Sequence, residues 1–335
     1  MQYWYQQQFL KIQDHSREHI IPLLALAARL KAAKKGNRES PVYLQGKNIA
    51  LIFEKSGTRT RCAFEVAAAD QGGSTSYIST RTSQLGRQES LVDTAIALGR
   101  IYDGIAYRGS HQYTLETLAR HTGIPVYNAL TDSAHPTQML ADLLTIREHT
   151  DKPFEEIQLA YLGDGQNSTA ISLLFTAAIM GINIRIAAPA SLQPDPETFR
   201  QAEKIAQQTG AKITITEEIA AAVQYCDFLY TDAWVSMEES DEIWEQRIPL
   251  LMPYRIDQDT LIACQNPDVK FMHCLPAFHD RTTPAGDRFF TIYKKAGIEV
   301  SHNAFMGKNS IVFDQVENRM HTIKALLVAT LNEYL

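Results

Sequence analysis

Cysteine is scarce in this 335-residue sequence: Cys62, Cys226, Cys264 and Cys274 are widely spaced, with no CxxC pair. That spacing suggests neither a disulfide framework nor a zinc site, and four reduced thiols are expected. Positive charge is not in excess either. Lys and Arg number 32 against 38 Asp and Glu, a formal net charge of -6, so the chain lacks the basic surface that sequence-independent binding to nucleic acid or an anionic membrane needs. Any anion must be bound locally. No apolar run nears the ~18 residues of a membrane span. The opening "MQYWYQQQFLKIQDHS" has neither the basic start nor the apolar stretch of a signal peptide. A cytoplasmic protein that binds no nucleic acid and no membrane is expected. Internal repeats and low-complexity segments are missing too.

The composition, 45% hydrophobic and 21% charged, is that of a globular protein with a full core. The length fits two domains at roughly 100 to 200 residues each, which implies a cleft between them. Apolar spacing predicts helices over 23–35, 90–98 and 115–121, and a further helix opened by His135 and Pro136 that runs through "MLADLLTIREH". Between them lie strand-like stretches: "NIALIF", 74–79, "GIAYR" and "IPVYNAL". After a linker, "TDKPFEEI", strands "QLAYLGD", "NIRIAAP", "KITIT", "FLYTD" and "VKFMHCLP" alternate with helices at 169–179 and 197–208 and a short helix before "FLYTD". A closing helix at 318–334 places Met320, Ile323, Leu327 and Leu331 near one face. Two βαβ series predict an α/β fold of two domains, each a parallel sheet flanked by helices.

Ligands of open parallel sheets sit beyond the carboxyl ends of the strands. Six polar clusters fall there: "KSGTRTR", "YRG", "HPTQ", "GDGQN", "TDAWVSM" and "HCLP". In the first, a helix N-terminus offers amides and dipole to phosphate, Thr58 and Thr60 add hydroxyls, and Arg59 and Arg61 add planar charged forks. A capped surface helix with solvated arginines is the plainer reading. Arg108 ends "GIAYR", and His135 and Gln138 share a helical face by their i,i+3 spacing. "GDGQN" fails the GxGxxG fingerprint, because Ser168 holds the place of the third glycine. Asp232 suits an ammonium group or a helix cap. His273 and Cys274, as neighbours on a strand, should point to opposite faces and so should not jointly bind a metal.

These clusters, in this order, resemble the aspartate/ornithine transcarbamoylase family and, within it, the ornithine carbamoyltransferases. The similarity runs from "FLKIQDHS" to "ENRMHTIKALLVATL", and the most specific stretches are "FEKSGTRTRCAFEVAAADQGG", "SQLGRQES", "HPTQMLADLLTI", "TDAWVSM", "FMHCLPAFHD" and "VFDQVENRMHTIKA". The resemblance implies transfer of the carbamoyl group of carbamoyl phosphate to the δ-amino group of L-ornithine, with no metal or organic cofactor. It implies a carbamoyl-phosphate domain over 1–148, an ornithine domain over 155–316, and a C-terminal helix, 317–335, returning to the first domain.

Carried over, Gly57, Thr58, Arg59, Thr60 and Arg108 hold the phosphate, with His135, Gln138 and Arg319 near the carbamoyl group. Gln84 reaches a neighbouring subunit's site in a trimer or multiple of trimers. Asn167, Asp232, Ser236 and Met237 hold the amino-acid end of ornithine, and Cys274 and Leu275 stand at the reacting end. Arg108, His135, Gln138, Cys274 and Arg319 carry the catalysis. Because the attacking amine must be neutral, the arginines are expected to lower its pKa while Asp232 and Cys274 orient it.

Two residues depart from the pattern: Gly57 stands where the family usually has serine, and Glu238 where it has glycine. They leave open a transcarbamoylase for another amine, such as putrescine or a modified ornithine, or a non-catalytic paralogue that binds a phosphorylated metabolite. An aspartate enzyme is disfavoured, since Asp232 would repel a dicarboxylate. A dehydrogenase rests on the βαβ pattern alone.

Overall fold

The computed structural model describes residues 1–36, 41–79, 89–235 and 240–334. Backbone packing divides the chain into unit 1, Met1–Thr150 with Val316–Leu335, and unit 2, Asp151–Gln315.

Unit 1 contains α1 (Arg17–Lys35), β1 (Asn48–Phe53), α2 (Thr58–Ala69), β2 (Ser74–Ser79), α3 (Leu91–Ile101), β3 (Gly104–Arg108), α4 (Gln112–Thr122), β4 (Val126–Leu130) and α5 (Pro136–His149). The four strands among its described residues are parallel, in the order β2-β1-β3-β4. An inner strand of a parallel sheet is covered on both faces and reads as an unbroken apolar run. Accordingly Ile49, Ala50, Leu51, Ile52 and Phe53 of β1 are all buried, whereas the edge strand β2 stays partly exposed.

Unit 2 contains β5 (Gln158–Leu162), α6 (Ser168–Met180), β6 (Asn183–Ala187), α7 (Pro196–Thr209), β7 (Ile213–Thr216), α8 (Ile219–Val223), β8 (Phe228–Thr231), α9 (Asp241–Leu251), α10 (Gln258–Ala263), β9 (Lys270–His273), α11 (Pro284–Tyr293) and α12 (His302–Met306). Its sheet is also parallel, in the order β7-β6-β5-β8-β9. Among the described residues, no helix is long and apolar enough to cross a membrane.

The last helix, α13 (Val312–Leu331), differs from expectation. It starts six residues before the predicted position, and residues 321–330 are all buried rather than apolar along one face. Three of its polar side chains find partners elsewhere in unit 1. Thr330 Oγ1 meets the Tyr127 hydroxyl at 2.6 Å, Asn318 Nδ2 donates to Thr145 Oγ1 at 2.9 Å, and Lys324 Nζ pairs with Asp70 at 2.5 Å. The first helix also starts early, at Arg17, with Pro22 inside it.

Candidate active site

In unit 1 the strand order reverses between β1 and β3, and in open parallel sheets ligands bind beyond the carboxyl ends of the strands at such a switch point. Phe53 and Arg108 pair across that position. The turn after β1 leads straight into α2, with Gly57 as N-cap and Thr58, Arg59 and Thr60 as the first three residues. The helix's first backbone bond runs from Arg61 N–H to Gly57 O, so the amides of those three residues have no intrahelical acceptor. Arg108 closes over this end, its Nε donating to Ser56 O at 3.1 Å and its Nη1 to Thr60 Oγ1 at 3.3 Å.

Gly57 provides the room. A Cβ at that position would stand 2.6 Å from Arg108 Nε and 2.7 Å from its Cδ. Its φ of -169° is extended backbone that any residue adopts, so the requirement is for space and not for glycine's conformational freedom. Arg61 is turned to other partners: Nε donates to Glu65 at 2.8 Å and its guanidinium lies 4.0 Å from the Tyr77 ring centroid. It is therefore turned away from the bonds that Arg108 makes to Ser56 and Thr60.

Two bracing residues were not anticipated. Glu54, directly before "KSGTRTR", accepts from the Tyr107 hydroxyl at 2.6 Å and from Ser110 N–H at 3.2 Å, joining the turns after β1 and β3. Burial first, and then Glu54, hold the Tyr107 phenol above its ordinary pKa. Asp142, fully buried, accepts from Gln138 Nε2 at 2.8 Å and so orients that carboxamide.

His135 is the N-cap of α5, and Pro136 takes its first position, as expected. The imidazole is buried, and Arg319 Nη2 lies 3.1 Å from its Nε2. A guanidinium only donates, so Nε2 is the acceptor and the ring proton sits on Nδ1. Burial, reinforced by Arg319 and Arg108, pushes the His135 pKa well below the usual histidine value. His135 is thus a neutral imidazole at neutral pH. Arg319 also donates to Ala129 O at 3.4 Å, at the carboxyl end of β4.

Unit 2 has the same logic, with its switch point between β5 and β8. Asp232 follows β8, and its Oδ1 accepts from Ala233 N–H at 2.8 Å and from the Cys274 thiol at 3.0 Å. Asn167 is the N-cap of α6: Oδ1 accepts from Ala170 N–H at 2.7 Å and Nδ2 donates to the Tyr161 hydroxyl at 2.7 Å. The turn that fails the dinucleotide pattern is held by Asp164 and by Arg247 of α9. Asp164 accepts from Gln166 N–H at 2.9 Å and is bonded by Arg247.

The expectation that His273 and Cys274 face apart needs correction. The strand ends at His273, so alternation no longer governs Cys274, and Leu275 turns through a φ of 55°. Ligand atoms of Asp232, His273 and Cys274 lie within 4.8 Å of one another. His273 Nδ1 accepts from Leu275 N–H at 3.0 Å, and its Nε2 lies 3.4 Å from Glu299 Oε1, both side chains being fully buried. Glu299 was missed because no local signal marks it. Gln84, Ser236, Met237 and Glu238 lie outside the described residues.

The family model described as the carbamoyl-P binding domain of aspartate/ornithine carbamoyltransferase matches residues 7–148, and the one for the Asp/Orn binding domain matches 155–330. Among solved structures, ornithine carbamoyltransferase from Pyrococcus furiosus is 34% identical with a TM-score of 0.89, over 98% of this chain and 97% of that one. The anabolic ornithine carbamoyltransferase of Campylobacter jejuni is 36% identical with a TM-score of 0.84, over 96% and 97%. That of Gloeobacter violaceus is 35% identical with a TM-score of 0.81, over 98% and 99%. With both domain models matched across nearly its whole length, the chain belongs to the aspartate/ornithine carbamoyltransferase family.

Proposed function

We infer that this protein is a carbamoyltransferase that moves the carbamoyl group of carbamoyl phosphate to the δ-amino group of L-ornithine, giving L-citrulline and phosphate in arginine metabolism. The observation that carries the reading is the match of both domain models together with the ornithine carbamoyltransferase structures aligned over at least 96% of the chain. Unit 1 takes carbamoyl phosphate: Gly57, Thr58, Arg59, Thr60 and Arg108 receive the phosphate, with Gln84 supplied by a neighbouring subunit. His135, Gln138 and Arg319 receive the carbamoyl group. Asn167, Asp232, Ser236 and Met237 of unit 2 hold ornithine, with Cys274 and Leu275 at its reacting end.

The chemistry fits these roles. Carbamoyl phosphate is already activated, so the protein must mainly position the amine and stabilise negative charge on the carbonyl oxygen and departing phosphate. Neutral His135 donates without needing a proton from solvent, and Arg319 fixes its tautomer. Arg108, pinned over the start of α2, is an electrostatic clamp set before the ligand arrives. Asp232 attracts the ammonium form of ornithine, while the nucleophile must be the free amine, so kcat/KM should rise with pH through an ionisation of the amine; a flat profile would sink this account of amine activation. We further propose a cytoplasmic homotrimer, to be checked by light scattering.

The direct test is product analysis with purified protein, carbamoyl phosphate and either ornithine or putrescine. Citrulline formation with ornithine preferred is expected. Faster turnover of putrescine would overturn the substrate assignment, and no turnover with either amine would overturn the activity.

A further inference from the structure

Unit 2 holds a second grouping of metal-ligand side chains, outside the residues assigned to carbamoyl transfer. Ligand atoms of His279, Asp280 and His302 all lie within 4.8 Å of one another. His279 and Asp280 belong to the segment between β9 and α11, and His302 opens α12. The two Nδ1 atoms are 3.1 Å apart, and His279 Nδ1 is 3.7 Å from Asp280 Oδ2. On a tetrahedral zinc-like ion with bonds of ~2.0–2.1 Å, two imidazole nitrogens stand roughly 3.3–3.4 Å apart. The rings are therefore already spaced to within a few tenths of an ångström for sharing one ion.

The ligands are also oriented. The His279 ring is stacked on the buried Phe305, with centroids 4.0 Å apart and planes at 7°. Asp280 Oδ1 accepts from Thr282 N–H at 2.9 Å and from its hydroxyl at 2.7 Å, which turns Oδ2 towards His279. Such outer contacts fix ligand direction in metal sites. Two imidazoles and one carboxylate suit zinc, cobalt or nickel rather than magnesium or calcium.

We propose that His279, Asp280 and His302 bind one divalent transition-metal ion, with water completing its coordination, and that the ion ties the segment following Cys274 and Leu275 to α12. In the metal-free protein one Nδ1–H donates to the other Nδ1. Metal binding moves that proton to Nε2 of the same ring, so no net proton is released.

The test is Co2+ titration of the full chain by visible absorption, with thermal unfolding in the presence and absence of Zn2+. Both use the wild type and Cys274→Ser, the latter to remove the Asp232, His273 and Cys274 grouping from the count. One equivalent should bind to each, without a thiolate-to-cobalt band in Cys274→Ser, and Zn2+ should raise Tm. His302→Ala in the Cys274→Ser background alters an exposed side chain and should retain the fold by circular dichroism. It should weaken Co2+ binding by more than ~10-fold and abolish the Zn2+-dependent rise in Tm, and Asp280→Asn should weaken binding less. Undiminished binding in the His302→Ala double variant, loss of the bound equivalent in Cys274→Ser, or no binding at millimolar metal would each overturn the proposal.

Discussion

Replacing Gly57 by alanine tests whether the Arg108 clamp depends on an empty space. The added Cβ would meet Arg108 Nε at 2.6 Å, Cδ at 2.7 Å and Cζ at 2.9 Å. To regain ordinary contact the guanidinium must retreat by about 0.8 Å. Being the far end of a flexible side chain, it can do so, but its bonds of 3.1 Å to Ser56 O and 3.3 Å to Thr60 Oγ1 are then lost or lengthened. Each contributes ~0.5–1.5 kcal/mol net, and partial exposure favours the lower half of that range, so about 1–2 kcal/mol of preorganisation disappears. That converts to roughly 5- to 30-fold in kcat/KM for carbamoyl phosphate. Steady-state kinetics at saturating ornithine give the number, and circular dichroism checks the fold. Gly57→Ser adds the same Cβ plus a hydroxyl donor, so its ratio to Gly57→Ala isolates that hydroxyl. Wild-type kinetics in Gly57→Ala would refute the steric argument, as would a loss of activity explained wholly by a fall in Tm.

Two further outcomes concern stability. Asp70→Asn removes the carboxylate paired with Lys324 Nζ at 2.5 Å, and because Lys324 is almost fully buried the variant should lose ~3–5 kcal/mol in urea unfolding, against less than about 1 kcal/mol for Lys34→Met, whose ammonium reaches the same carboxylate from a more exposed position. Equal costs would show that burial of Lys324 is not decisive. His321 is buried, and burial, then Lys324, lower its pKa to about 4 from 6.5. Its folded pKa lies below its unfolded one, so its contribution, up to about 3 kcal/mol, is present above pH 6.5 and lost as pH falls towards 4. His321→Gln should flatten the pH dependence of unfolding across that window, and an unchanged slope would assign the dependence to other groups.

Much of the fold was legible because each segment carries its own period. The apolar run that follows Asn48 in "NIALIF" reads as a strand, and proline after His135 marks a helix start. Arg59 and Arg108 were legible as candidate anion ligands for a similar reason, lying at helix and strand ends. Arg61 was misread alongside Arg59, since two residues along a helix turns a side chain by roughly 200°, towards Glu65 and Tyr77 in this case. The closing helix was misread as one-faced. Asn318, Lys324 and Thr330 look like a polar surface until Thr145, Asp70 and Tyr127 are seen to satisfy them.

The sequence alone determined the alternation of strands and helices, the placing of polar clusters at strand ends, and the kind of ligand they suit. These follow from local backbone preference and side-chain chemistry. Tertiary structure decided what separation along the chain conceals: that Gly57 makes room for Arg108, 51 residues later, that Arg319 fixes the tautomer of His135, and that Glu299 stands behind His273. Each is a contact between residues far apart in sequence. Strand order brings them together, and no local pattern encodes it.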